Sequence, residues 1–365
     1  MDKDPNAPGF KICDKAITSN GNSKFNVLKV ARQEKVDAIL PTGEYAVVPA
    51  AFASETLGLK TIGVQTAELA TNKAMLFEKF SKDKVPIALH KKTTTINEAI
   101  EFAKEIGFPI ILKPGSSYGA SRGVIRVNNI EDLKKYFEHT LHNSFTKDVI
   151  VEKFLNGMAH SIESITINGK THVLAISDKL RTVDKFCVDL SLFYPSDENR
   201  RTKMALINAA IKSINSLGIK NGICHIEAMS MNEKAYVFDF GARGGASGYI
   251  PSLVVPSLCG INMMGKMMSI LLGMEIGSLQ PKYNHGVVYS FFHPEPGKIK
   301  KISGVNRVKK FSWIVDFWLK AKKGDTVQPL SDGLKRPGFL LVKGNNLQQA
   351  KKRLSLVEQT IKFVV

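Results

Sequence analysis

Apolar and polar positions along this chain switch between two periods. Phe25, Leu28, Val30 and Ala31 recur at helical spacing within 25–34, and a second helical stretch runs over 47–57 and stops at Gly58. Between and around them, the short apolar runs 16–18, 38–40 and 61–64 read as buried strands, the second ended by Pro41-Thr42-Gly43. Helix–strand alternation at this spacing predicts a parallel sheet with crossovers. Such a domain normally opens with a buried strand. Here the first residues, Met1-Asp2-Lys3-Asp4-Pro5-Asn6, are a polar turn, so the pattern enters the fold partway through.

The pattern then changes. A helix is predicted over 66–85, with Lys73 in its first turns, and another over 96–106, ended by Gly107 with Pro109 beyond. Strands follow at 109–113, 123–127 and 148–152, with a helix at 130–139. The runs 161–167 and 171–176 are joined by Asn168-Gly169, a strong hairpin signal. A long helix over 201–217 closes at Gly218, and two strands, 225–229 and 235–240, form a second hairpin. The methionines of the helix at 262–272 read as core filler. Strands at 286–292 and 338–342 and a helix at 347–361 complete the chain.

Length and composition narrow the class. A chain of 365 residues implies two or three domains, and 44% hydrophobic residues suffice for buried cores. No run of eighteen apolar residues occurs, so no membrane span is expected. The opening residues lack a basic region followed by an apolar core, as a secretory signal would have. Cys13, Cys187, Cys224 and Cys259 are far apart, which argues against a disulfide scaffold or thiolate zinc site and fits a cytoplasmic protein. The net charge of +18 is carried by lysine clusters near 79–84, 298–301, 307–310, 320–323 and 351–353, with no nucleic-acid-binding signature beside them. A solvated basic surface is the expectation, with no nucleic-acid or membrane partner and a field that draws in anionic substrates.

Three segments could carry chemistry. In 110–121, an apolar strand delivers Lys113 into a loop of small residues containing Ser116, Ser117 and Gly119, whose N–H and hydroxyl groups can wrap phosphates. The alternative is an ordinary turn after an edge strand. In 226–245, Glu227 and Asp239 interrupt apolar strands, where a carboxylate is costly unless paired or bound to metal. Two such oxygen donors suit Mg²⁺, and Arg243 in the glycine-rich turn beyond can bind a carboxylate or phosphate. The alternative is a salt bridge to Arg243. In 149–157 a strand ends at Glu152 and runs into Lys153, Phe154 and Leu155, whose backbone and apolar surface can receive adenine or form a plain strand end.

In this order, these residues resemble the ATP-grasp superfamily, carboxylate–amine (amino-acid) ligase type. The resemblance implies an α/β fold in which a truncated Rossmann-like N-terminal domain (1–68) and linker helices (69–108) lead into ATP-grasp. A small subdomain with a lid loop (109–155), a large subdomain with the metal site (156–280) and a C-terminal strand-rich subdomain (281–365) follow. It implies ATP and Mg²⁺, with Mn²⁺ able to replace it, as cofactors. Lys73 and Lys113 would contact phosphate, Ser116, Ser117 and Gly119 would form the lid, and residues 152 to 155 the adenine hinge. Glu227 and Asp239 would hold metal, and Arg243 the acyl phosphate or substrate carboxylate. The segment Asp178-Lys179-Leu180 would face the substrate. The reaction implied joins a small-molecule carboxylate to an amine or amino acid through an acyl phosphate, releasing ADP, in a protein that can be a homodimer. The rival is an ATP-binding protein without ligase turnover. Gly241 stands where the family has asparagine. Ala159 stands where it often has an acid for the ribose, a role Glu163 would assume. Relatives open with a strand, a glycine-rich turn and a helix, about thirty residues, that are not matched here.

Overall fold

The computed structural model describes residues 1–117 and 119–365. Its centre is a pair of antiparallel sheets. The smaller joins β1 (His90–Thr93), β2 (Ile110–Pro114), β3 (Ile125–Val127) and β4 (Val149–Lys153) in the order β1-β4-β2-β3. The larger contains β5 (Met158–Ile167), β6 (Lys170–Arg181), β7 (Asp189–Tyr194), β8 (Gly222–Met231), β9 (Lys234–Gly241) and β10 (Gly286–Phe291). After the short β11 (Gly297–Lys298) and β12 (Lys301–Ser303) come its edge strands, β13 (Ile314–Leu319) and, beyond β14 (Thr326–Val327), β15 (Gly338–Gly344). Their order is β13-β15-β10-β7-β6-β5-β8-β9; β16 (Lys362–Val364) pairs with β12.

The helices are α1 (Lys24–Glu34), α2 (Val47–Thr56), α3 (Val64–Thr71), α4 (Lys73–Lys82), α5 (Ile96–Ile106), α6 (Ile130–His142) and α7 (Arg200–Ser216), followed by shorter ones and by Leu347–Thr360. Capping explains several boundaries. Thr95 and Glu98 form a reciprocal capping box that starts α5. Asn72, in extended conformation, breaks the helix expected over 66–85 in two and caps α4 through Met75 N at 3.2 Å. The β5–β6 turn has positive φ at both Asn168 (48°) and Gly169 (80°), as a two-residue hairpin requires. Between β8 and β9 the turn is Asn232-Glu233, tighter than the 230–234 link expected.

Alternation along the strands assigns each sheet a core face and a cleft face. Ile110 and Leu112 of β2 and Val149 and Val151 of β4 pack with Phe102 of α5 and with Leu133 and Phe137 of α6. Residues Ile226 and Ala228 of β8 and Val237 of β9 pack with Leu206, Ala210 and Ile214 of α7. The intervening positions, Lys113, Glu152, Glu227 and Asp239 among them, lie on the opposite faces and line a common cleft. The expected filler role of the methionines holds, since Met263 and Met267 are buried beside Ile165 and Leu174.

The N-terminal region departs from expectation. Segments 38–40 and 61–64 are not strands, and 16–18 contributes a single parallel bridge, Asp2 to Thr18. A strand needs a neighbour for its N–H and C=O groups, and among the described residues none lies alongside. Ala38 and Leu40 instead pack as irregular chain against the core that holds Met263–Leu272. The parallel sheet read from the apolar pattern is therefore absent among the described residues, and α2 to α4 attach to the large sheet through Val47, Ala67, Leu76, Phe77 and Phe80. Among the described residues no single helix is long and apolar enough to cross a membrane, and the four cysteines are free.

Candidate active site

The two sheets face one another across a cleft of about 570 Å³. From the small sheet comes Lys113, only 6% exposed. Its Nζ donates to Phe238 O of β9 at 3.0 Å and pairs with the buried Glu152 carboxylate of β4, so one ammonium ties the two sheets together. The loop after β2 is anchored at its base. Gly115 O accepts from Lys73 N at 2.7 Å, and Ser116 Oγ donates to Thr71 O at 3.4 Å. Gly115 has to be glycine, because a Cβ there would lie 1.9 Å from Asp148 Oδ1. Ser117 and Gly119 line the cleft, whereas Ser116 is part of the loop's anchor and does not. Tyr118, in the same loop, lies outside the described residues.

From the large sheet come the acids. Glu227 and Asp239 are cross-strand partners on β8 and β9, at a bulge that inserts Phe238. Each holds a cation: Lys73 pairs with Asp239, and Lys179 with Glu227. Burial alone would raise the Asp239 titration, but the nearby charges of Lys73, Lys113 and Arg243 outweigh it and hold the carboxyl below its ordinary range. Arg243 reaches back to the N-terminal region, donating Nε to Glu44 Oε2 at 2.9 Å. Its guanidinium packs over Gly241, where a Cβ would meet Cζ at 3.0 Å. The glycine that replaces the expected asparagine thus leaves room for the arginine.

At the end of β4, Lys153, Phe154 and Leu155 form one wall of the cleft. Lys153 N donates to Leu89 O and Phe154 N to Pro109 O, so these two donors are spent on the fold. Leu155 N has no partner among the described residues. The Phe154 ring lies under Arg126, 4.3 Å from its Cζ.

Glu163 sits away from the cleft wall. It is fully buried on β5 and does not line the cleft. Its Oε1 meets His225 Nδ1 at 2.6 Å, and His225 Nε2 lies 3.8 Å from Glu227 Oε1. The carboxylate therefore orients a histidine beside the acids, at a position that does not face the cleft.

Four further charged residues line the cleft, Lys179, Arg181, Asp189 and Arg336. Lys179 Nζ bridges Glu227 and Asp189, the latter at 2.9 Å. Burial lowers the Lys179 titration despite Asp189. Arg181 Nε contacts Asp189 Oδ1 at 3.1 Å. Arg336 Nη2 donates to Asp189 O at 2.5 Å, and its guanidinium stacks 3.7 Å from the centre of the Phe291 ring. Burial by itself would raise the Asp189 carboxyl, yet Lys179, Arg181 and Arg336 bring it down to about 2. Of the segment 178–180 that the resemblance points toward the substrate, Lys179 lines the cleft. Asp189 and Arg336 were not read from the sequence, because β7 went unrecognised and Arg336 stands in an irregular loop.

Comparison with known proteins places this geometry. A family profile described as an ATP-grasp domain matches residues 106–248, and one described as L-amino acid ligase C-terminal domain 2 matches residues 290–365. An alanine–anticapsin ligase of Bacillus subtilis (strain 168) is 28% identical over 270 residues, covering 67% of this chain and 56% of its own length. The carbamoyl phosphate synthase large chain of Methanobrevibacter smithii is 29% identical over 212 residues, 55% of this chain and 20% of that protein. This chain thus spans about half the length of the Bacillus relative or less of the others. Among solved structures, an L-amino acid ligase from Bacillus licheniformis superposes with a TM-score of 0.80 at 21% identity, covering 94% of this chain and 85% of that one. A biotin carboxylase from Campylobacter jejuni superposes with 0.74 at 20%, covering 100% and 85%. The mixed α/β architecture, the cleft between two antiparallel sheets and the profile over its central residues together give this chain the ATP-grasp fold.

Proposed function

We propose that this chain uses ATP to join the carboxylate of one small molecule to the amine of another, through an acyl phosphate and with release of ADP and phosphate. The observation that carries the reading is the convergence of Lys113, from the small sheet, with Lys73, Glu227 and Asp239 in one cleft. Two cations facing two carboxylates across a closable gap suit a nucleotide triphosphate. The alanine–anticapsin and L-amino acid ligases among the relatives agree with the class of reaction.

In this reading the adenine lies against Phe154 and Leu155 and takes the free Leu155 N–H. Lys73 and Lys113 leave their carboxylates for phosphate oxygens and stabilise the charge that moves during transfer. Arg243 holds the acyl phosphate oxygens as the amine attacks the acyl carbon. The loop at Ser117 and Gly119 closes over the phosphates and excludes water, which protects the acyl phosphate from hydrolysis.

Glu227 and Asp239 fit a divalent cation. They are hard oxygen donors on neighbouring strands, and each already balances a positive charge, that of an ammonium group. Magnesium bound there would neutralise phosphate charge and orient the transferring group. A second reading, nucleotide binding without ligation, is favoured by Gly241, which removes one oxygen donor from the metal site. A screen of ADP release over amino acids and small carboxylates, singly and paired with amines, decides between them. The ligase reading requires ADP formation that depends on both substrates. Binding of ATP with no such turnover across the panel would overturn it.

A further inference from the structure

The loop after β2 is fixed at its base by Gly115 and Ser116, but its tip is held differently. Gly119, Ala120 and Ser121 are consecutively left-handed, with φ of 73°, 60° and 58°, and all three line the cleft. Glycine adopts that conformation freely, whereas alanine and serine do so at a cost. Such a run persists where the surrounding structure imposes it. Inside the loop, Arg122 N donates to Gly119 O at 3.4 Å and Val124 N to Ser121 O at 3.2 Å. Between them, Ala120 O accepts from Gly333 N at 2.9 Å. Among the described residues, no other hydrogen bond of Gly119, Ala120 or Ser121 reaches another element.

The donor is firmly mounted. Gly333 opens a short 3₁₀ turn, Gly333–Lys335, and Asp332 sets its start by accepting from Leu334 N at 2.9 Å. Ser331 Oγ donates to the other carboxylate oxygen of Asp332 at 3.1 Å, and Lys320 Nζ donates to Leu334 O at 3.2 Å. Just past the turn, Arg336 stacks on Phe291 and donates to Asp189 O. The Gly333 N–H precedes the hydrogen bonds of its own turn, so it is available to an acceptor outside. Loop and turn belong to opposite sides of the cleft, since one leaves β2 of the small sheet and the other leads into β15 of the large sheet.

We propose that Gly333 is a positioning residue that latches the lid: its N–H holds Ala120 O and keeps residues 119–121 folded over a bound nucleotide. The C-terminal strand-rich unit, and not the nucleotide alone, then sets how long ADP is retained. A latch of this kind acts on release more than on capture, because the nucleotide enters while the lid is open. The inference rests on the reading above as far as nucleotide binding goes and is independent of ligation.

The test uses the full chain with Mg²⁺ and a fluorescent N-methylanthraniloyl ADP, whose release is followed by stopped flow after a chase with excess ADP. Gly333→Pro removes the donor. Proline is accepted at the first position of a helical turn, behind an extended residue such as Asp332, whose φ is −162° and ψ 169°. Release should accelerate about threefold to tenfold, the effect of losing one net hydrogen bond, with association and thermal unfolding unchanged. Gly333→Ala restores the N–H. Its Cβ would meet Ala120 Cβ at 3.4 Å and the end of the Arg336 side chain at 3.1 Å, so release should return close to the native rate. Native release in the proline variant, or release from the alanine variant as fast as from the proline variant, overturns the latch. If the proline variant does not fold, hydrogen exchange in the native protein decides: the Gly333 amide should exchange more slowly with MgADP than without it, and equal rates overturn the latch. Retention that depends on Gly333, in a protein that forms no ADP with any substrate pair, would sink the ligase reading and leave the latch standing. Unaltered release from Gly333→Pro in an active ligase would do the reverse, and a native protein that binds no ADP would sink both.

Discussion

Asp189→Asn is the substitution whose consequence follows most directly from the structure. The carboxylate accepts from Lys179 Nζ at 2.9 Å and from Arg181 Nε at 3.1 Å, and its side chain is 20% exposed. Burial opposes its ionisation, yet the three surrounding cations bring the titration from 3.8 to about 2. That displacement corresponds to about 2–3 kcal/mol of native-state preference for the anion. The asparagine forfeits it and also leaves Lys179 with one partner fewer, so the total loss should be about 2–4 kcal/mol at pH 7. The sign with pH is fixed. A carboxyl whose native titration is depressed stabilises fully above its unfolded value near 4 and loses that contribution as pH falls toward 2. The gap between native protein and variant should therefore be constant from pH 7 down to about 4.5 and shrink below that, because only the native protein can still take up the proton. Urea denaturation followed by circular dichroism over a pH series measures it, with unchanged slopes showing that the same surface is exposed. A gap under about 0.5 kcal/mol at pH 7 would mean that the cluster is held by solvent and not by Asp189. A gap that persists undiminished at the lowest accessible pH would mean that the destabilisation is not electrostatic.

Three further substitutions probe the cleft. Asp239→Asn should lower Mg²⁺-dependent ADP formation by about a hundredfold or more, the scale seen when a group stabilising transition-state charge is lost, while circular dichroism stays native; unchanged kinetics would remove Asp239 from the metal site. Lys113→Ala should raise the ATP concentration needed for half-saturation by about tenfold or more, read by nucleotide titration, and unaltered binding would make the lysine a structural tie between the sheets. Gly115→Ala should cost about 2–4 kcal/mol in thermal unfolding, because the new methyl meets the buried Asp148 carboxylate at 1.9 Å; a variant as stable as the native chain would show that the loop base shifts freely.

What the sequence discloses depends on whether the signal is local. The Asn168-Gly169 turn, the Thr95/Glu98 capping box and the apolar faces of α5, α6 and α7 are specified by neighbours in the chain, and these elements form close to where the pattern puts them. Runs 38–40 and 61–64 carry as good a strand pattern as 149–153. They fail because strand formation is decided by a partner, and apolar character alone supplies no ladder. The same rule explains β7, whose Asp189-Leu190-Ser191-Leu192 opening alternates over only four residues and is made a strand by β6 and β10 on either side.

Site residues follow this division as well. A charge inside an apolar run, as at Lys113, Glu227 or Asp239, announces itself because its cost must be met somewhere. The residue that meets the cost is invisible until the sheet is assembled. The strand order β7-β6-β5-β8-β9 brings Asp189 to Lys179 and Lys179 to Glu227 across 48 residues of sequence, and a loop 147 residues from Asp189 delivers Arg336. Glu163 makes the same point in reverse. The resemblance gave it to a ribose, and in the fold it is the histidine opposite it on β8 that the carboxylate meets. Charges on one face of an antiparallel sheet are thus read in strand order, and a cation meets its carboxylate only once the strands between them are in place.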